Sequence, residues 1–310
     1  MRKMQTPNAS NASSALNNPS APSSPGAPAP YLQATGELPF TLTNDYMFRA
    51  FLQTNNNVLR HLTCSLLRLR PEEVEEVRIE NPIEMGKTPG DKEFVLDVKI
   101  SLNNRRIINY EMQVIPRGDW PERSLVYLCR QFDSLHKGDA YTKIEPVTHI
   151  GFLGFTLFKD KPEFYATYKM LNVRNHNLYS DKFTLGVVDL TQIELATEED
   201  REWRTDYWAS LFKATTWEEV KRMAEKDTIM EDAADTLHRL LQDDRVREQC
   251  WAREDYYRTI KWYEDTQKEQ AAALVEKDVA LAEQAAEIVE KDAEIARLRR
   301  LLEEKQGKNL

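Results

Sequence analysis

The chain has 310 residues, 42 basic against 51 acidic, a formal net charge of −9 and only three cysteines, enough length for a sizeable core and about two domains. That charge argues against nonspecific coating of nucleic acid while leaving room for a local basic cleft. Cys64, Cys129 and Cys250 lie far apart with no CxxC pair, which excludes a disulfide framework or zinc ribbon and points to a reducing cytoplasm. The longest nearly apolar run, Ile150 to Phe158, is about half of what a bilayer-spanning helix requires. No apolar stretch follows Arg2 and Lys3, so neither a membrane protein nor a secreted one is expected.

Residues 1–36 are built from Asn, Ala, Ser, Pro and Gly, a composition that reads as an unstructured tail. From Leu42 to Leu69, Met47, Phe48, Phe51, Leu52, Leu59, Leu62, Leu66 and Leu67 recur at helical spacing. Two short helices are predicted, with Thr43 or Asn44 as the first cap. Val74–Ile79, Phe94–Ile100 and Ile107–Val114 alternate like strands. Asn103 and Asn104 mark the turn of a hairpin between the last two. Asp119, Pro121 and Glu122 read as a helix start, Asp119 and Glu122 forming a capping box, ahead of apolar Leu125, Leu128, Phe132 and Leu135. A strand is predicted at His149–Phe158 and a second β-like segment at Phe183–Leu190. Glu198–Trp262 is helical in pattern, with Trp203, Tyr207, Trp208, Leu211 and Phe212 on one side. Beyond it Leu274, Leu281, Ile288, Ile295 and Leu302 lie seven apart, and VEKD recurs at 275–278 and 289–292. The second seam holds Ala271, Asp278, Ala285, Asp292 and Arg299. This predicts a weak coiled coil or a single charged helix. The expected organisation is a tail over 1–36, a core over 37–197, a helical extension over 198–263 and the heptad segment over 264–310.

In both hairpin strands the even positions are apolar. If they share one face, the loop must hold an odd number of residues, such as Asn103, Asn104 and Arg105. Asp97 then falls opposite Glu111, Lys99 opposite Asn109, and Gln113 beside Glu111 on the same face. Paired carboxylates suit a hard divalent cation such as magnesium, which relieves their repulsion and can assist phosphodiester hydrolysis. The plainer reading is a solvent-facing strand with ordinary charges. On the next helix Arg123, Tyr127, Arg130 and Ser134 form a polar stripe, suited to backbone phosphates or simply to solvent. His61 and Cys64 make half a zinc site with no second pair nearby, and are read as part of a packed helix.

The order helix, strand, hairpin bearing Asp then Glu-x-Gln, helix, strand resembles the PD-(D/E)XK nuclease core. Wording narrows this. The segments NDYMF (44–48), ENP (80–82), DKEFVLDVKI (91–100), RIINYEMQV (106–114), PERSLVYLCRQF (121–132), YTKIEPVTHIGFLGFTLF (141–158) and AREDYYR (252–258) together resemble the recombination-promoting nuclease and transposase family of that superfamily, over about residues 40–262. The resemblance implies an α/β restriction-endonuclease-like core, a mixed sheet flanked by helices, with a helical C-terminal extension and a coiled-coil tail. It also implies a magnesium-dependent DNA endonuclease, manganese substituting, linked to recombination or mobile elements. Asp97 and Glu111 would be metal ligands, with Gln113 where the superfamily has a lysine. Lys99 could supply the missing cation. Asp45 could add a third carboxylate, or serve only the first helical turn. Arg123 and Tyr127, with Arg130, are the candidate DNA contacts. DNA is the expected partner, beside a weak homo-oligomer through the coiled coil. The competing expectation is a catalytically lapsed nuclease fold that uses its two tails for interaction or oligomerisation.

Overall fold

The first α-helix starts at an asparagine that follows a tight turn and is itself extended. In the computed structural model, which describes residues 29–80, 83–84, 94–95, 98–103 and 105–307, Asn44 Oδ1 accepts from the backbone N–H groups of Tyr46 and Met47 at 3.1 and 3.2 Å. It thereby satisfies two donors that α1 (Asp45–Thr54) cannot satisfy internally. Asn55 does the same for α2 (Asn56–Leu67), accepting from Asn57 and Val58. Arg68, left-handed at φ 54°, closes that helix.

A six-stranded mixed sheet follows, made of β1 (Val77–Ile79), β4 (Val98–Leu102), β5 (Arg106–Gln113), β6 (Val147–Leu153), β7 (Tyr165–Leu171) and β8 (Leu178–Asp189) in the order β1-β4-β5-β6-β8-β7. The β5–β6 and β6–β8 pairs are parallel and the others antiparallel. Short strands β2 (Ile83–Glu84) and β3 (Phe94–Val95) pair separately, so the predicted strand Phe94–Ile100 is divided between two sheets. The β4–β5 loop has the predicted odd length, with Leu102 opposite Arg106 and Lys99 opposite Asn109. Asn103 takes its left-handed position at φ 50° because its amide is used there. Its oxygen accepts from the N–H groups of Glu75 and Glu76, and its nitrogen donates to the Glu73 carbonyl.

The even face of the sheet carries the main core. Val98, Ile100, Leu102, Ile108, Tyr110, Met112, Ile150, Phe152 and Val188 meet Met47, Phe48, Phe51 and Leu52 of α1 and Leu59 and Leu62 of α2. Phe48, Phe152 and Phe212 form an edge-to-face cluster with centroids 5.1–5.5 Å apart. Phe212 comes from α5 (Thr205–Lys213), one of four helices, with α4 (Glu198–Glu202), α6 (Trp217–Ala224) and α7 (Thr228–Gln242), that together with the start of the last helix fill the predicted helical region. The opposite face is covered by α3 (Trp120–Phe132).

Three elements depart from the sequence reading. Edge strand β7 was not predicted, because most of its side chains face solvent and its burial does not alternate. Residues 29–36 had been expected within the tail, yet Pro30–Gln33 forms a 3-10 turn that buries Tyr31 beside α7. The capping box at α3 is absent. Asp119 sits at the N-cap position without a side-chain capping bond, its backbone at φ −115°, ψ 10° rather than extended. Pro121 removes one of the N–H groups that such a cap would serve.

The chain divides into two compact units, one ending at Arg253 and the other beginning at Glu254. The last helix, α8 (Asp244–Gly307), is rooted in the first by buried Val246 and Cys250. In the second, Leu274, Leu281, Ile288 and Ile295 are exposed in their heptad register, and charge pairs such as Glu287–Lys291 at 2.6 Å decorate the surface. Among the described residues, no helix is long and apolar enough to cross a membrane.

Candidate active site

The odd positions of the central strands build a polar layer beneath α3. Lys99, Asn109, Glu111 and Gln113 share this face. The parallel β5–β6 register sets Asn109 beside His149 and Glu111 beside Gly151. Since α3 must cover a polar surface, its buried face differs from the predicted one. Trp120, Ser124, Tyr127, Leu128 and Gln131 point inward, whereas Leu125 is 47% exposed. Tyr127, expected on the solvent side with the two arginines, is therefore turned in. Among the described residues Trp120, Leu153 and Val187, with Phe155 and Leu157 packed against them, form an apolar cluster here.

Glu111 is 2% exposed, so its carboxylate must be compensated. Arg123 provides the charge, Nη2 lying 2.5 Å from Glu111 Oε1, while its Nη1 donates to Gln113 Oε1 at 3.2 Å. The same guanidinium lies over the Tyr127 ring, 5.3 Å from the centroid. Gln113 Nε2 donates to the Ile115 carbonyl at 2.6 Å, which turns the amide oxygen toward Arg123. On the inner side, His149 Nε2 lies 3.5 Å from Glu111 Oε2. Its Nδ1 is 2.8 Å from Asn109 Nδ2. The Trp120 and Tyr127 rings lie against the imidazole, with centroids 5.8 and 5.9 Å away. Burial, and then the positive charge of Arg123, pushes the imidazole down to about 3. His149 is therefore neutral near pH 7.

Lys99 Nζ lies 3.6 Å from Glu80 Oε2, on the face of Glu111 and one strand away. Arg130 lies in the last turn of α3. Asp97 lies outside the described residues; the Lys99–Asn109 pairing is the register on which its expected place opposite Glu111 rests. Asp45 is held by Arg253, whose Nε lies 2.8 and 2.6 Å from its two oxygens; Arg253 Nη2 also meets Oδ2. Among the described residues no three His, Cys, Asp or Glu side chains gather as a metal-holding group.

The Asp45–Arg253 pair ties the start of α1 to the root of α8. Arg253→Ala should lower unfolding free energy by about 1–3 kcal/mol, since it removes the guanidinium paired with a buried carboxylate, with a discount because the Arg253 side chain is 41% exposed. Urea denaturation measures this. An unchanged midpoint would show that the carboxylate is compensated by other groups.

The donors suit a hard divalent cation. A carboxylate and an amide oxygen, two residues apart on one strand face, already converge on a single cation, the Arg123 guanidinium. His149 was not singled out from the sequence. In the run Val147–Leu153 the even positions Thr148, Ile150 and Phe152 belong to the main-core face, and the odd His149 is its one ionisable side chain. That parity was the available signal, and it acquires meaning only once the β5–β6 register is known.

A search of curated proteins and one of solved structures gave no match. A family description does match: PD-(D/E)XK nuclease family transposase, over residues 42–266. That stretch takes in α1, the whole sheet, α3 and the helices α4–α7. With the mixed sheet, the flanking helices and the Glu111-x-Gln113 strand all inside it, the chain belongs to the PD-(D/E)XK nuclease family of transposases.

Proposed function

We propose that the protein is a metal-dependent DNA endonuclease that hydrolyses phosphodiester bonds in recombination or mobile-element biology. Asp97 and Glu111 are the proposed metal ligands, and Mg2+ the proposed ion, with Mn2+ as a substitute. The observation that carries this reading is the buried Glu111 joined through one guanidinium to Gln113, in a family of nucleases. Asp97 and Glu111 would hold such an ion, which would supply Lewis acidity toward a phosphodiester and lower the pKa of a water to near neutral pH.

The chain's own residues do the rest. Glu111 offers Oε1 on the side of Arg123, the more exposed of its two neighbours. Gln113 cannot move a proton, since an amide does not titrate. Its oxygen can accept a hydrogen bond and hold a water in place, and Lys99 on the neighbouring strand supplies the positive charge that the usual lysine would bring. Arg123, 29% exposed, and Arg130 are the proposed contacts to backbone phosphates. Tyr127 acts from beneath, supporting Arg123. Asp45 is left to its pair with Arg253. DNA is the proposed partner and a reducing cytoplasm the proposed setting.

The test is cleavage of supercoiled plasmid by the full-length chain with Mg2+, with Mn2+ and with a chelator. Nicked or linear product only in the metal lanes is expected. No product in any metal would replace this reading with that of an interaction protein built on a lapsed nuclease fold.

A weak homo-oligomer through the heptad segment is also proposed. Its apolar seam is exposed in the single chain, and the second seam is charged. Deleting residues 264–310 should lower the number of chains per sedimenting particle while leaving the melting temperature of the core unchanged. The difference should vary with salt, because Asp278, Asp292 and Arg299 flank the seam. If both proteins sediment as monomers at every salt concentration, the segment is a solvated single helix.

A further inference from the structure

The layer under α3 contains a histidine that packing alone does not explain. His149 is fully buried, its ring is held between Trp120 and Tyr127, and Nδ1 is taken by the Asn109 amide at 2.8 Å. With Asn109 Nδ2 as the donor, the ring proton of the neutral imidazole sits on Nε2. Among the described residues that nitrogen has no hydrogen-bond partner, and it points at Glu111 Oε2 from 3.5 Å. An apolar residue would fill the same space without leaving a donor unpaired, and a buried unpaired donor is costly.

We infer that His149 is a positioning residue for Glu111. It donates to Oε2 and so presents Oε1 outward, toward the side where Arg123 now stands. This rests on the proposed role of Glu111 as a metal ligand. The two flanking rings and the Asn109 bond fix the imidazole, so the carboxylate is the group that is oriented. The sorting of the two oxygens follows: Oε2 faces a buried ring fixed by its neighbours, while Oε1 faces a guanidinium that is 29% exposed. A long donor–acceptor distance is expected before the site is loaded and shortens when the carboxylate is drawn into its working position. Neighbours of this kind commonly set metal affinity by ten- to a hundredfold, roughly, without touching the ion.

The experiment titrates Mn2+ alone into the full-length protein by calorimetry and records metal-free melting of the same samples. The variants are His149→Gln, which keeps an N–H donor, and the double variant Asn109→Val, His149→Leu, which removes both members of the buried bond so that neither is orphaned. The double variant should melt near the parent yet bind Mn2+ about tenfold more weakly or worse. His149→Gln should stay within about threefold of the parent, since the donor toward Oε2 survives. Parental Mn2+ affinity in the double variant overturns the inference. So does a Gln variant as weak as the double variant, or an affinity loss seen only where melting falls in step, which would mark a purely structural histidine. If the parent itself binds no Mn2+, the metal reading of Glu111 fails and the inference falls with it. Binding that is equal in the parent and the double variant removes His149 alone.

Discussion

Glu111→Gln should give a folded protein that cleaves plasmid DNA at least about a thousandfold more slowly in Mg2+, the loss expected when a site gives up on the order of 4 kcal/mol of transition-state stabilisation. The substitution keeps shape and removes charge. The amide oxygen can accept from Arg123, but its nitrogen then meets the Nε2–H of His149 donor to donor, so folding should fall by about 1–2 kcal/mol even though the cost of burying a carboxylate is also lost. Arg123, 29% exposed, can turn to water. Asp97→Asn should match it in activity. Cleavage time courses beside circular-dichroism melts separate the two effects. A parental rate in either variant would remove that carboxylate from the proposed site, whereas a slow variant that also melts early would say only that the fold had suffered.

The sequence made the hairpin legible because parity is a strong constraint. Placing Ile100, Ile108 and Tyr110 on one face forces an odd loop, and with three residues in that loop the observed pairing of Lys99 with Asn109 follows. Helix ends were legible where a single side chain makes the cap, as at Asn44. The face of α3 was not. Its helical periodicity is plain, but which side is buried depends on what lies beneath, and a polar sheet face shifted the buried side, so that Leu128 is buried as expected but Leu125 is not. Ser124 and Gln131 are buried there while Leu125 and Val126 are exposed, a pattern that hydropathy reads backwards. His149 was hidden for the same reason, since the partner that gives it meaning lies 38 residues upstream on a parallel neighbour. Edge strand β7 lacked a signal altogether. At the site, Glu111 and Gln113 needed only strand parity to be brought together, whereas the cation between them, Arg123, came from a helix whose docking no local pattern specifies.

That docking depends on one small position. Gly151 lies beside Glu111 across the β5–β6 pair, and the Trp120 indole is seated directly on it. A Cβ added to Gly151 would lie 2.0 Å from Trp120 Cζ2 and 2.4 Å from Cη2. Those distances are far inside van der Waals contact, and the atoms belong to a rigid ring that is itself 2% exposed. Gly151→Ala should therefore destabilise the protein by about 3 kcal/mol, the upper part of the range for overpacked cores. The ring cannot yield without tilting α3, because Trp120 is its first residue. Arg123 stands one turn further along the same helix, so the tilt also loosens its hold on Glu111. The folded fraction of the variant should consequently cleave DNA more slowly than its stability alone explains. Trp120→Leu made alone opens a cavity. Combined with Gly151→Ala, it should recover part of the loss, giving a coupling energy of about 1 kcal/mol or more between two residues in contact. Denaturant melts of the four proteins measure that cycle. Strict additivity would mean that the indole is not what occupies the space above Gly151, and with it would go the argument that this glycine sets the height of α3 over the carboxylate.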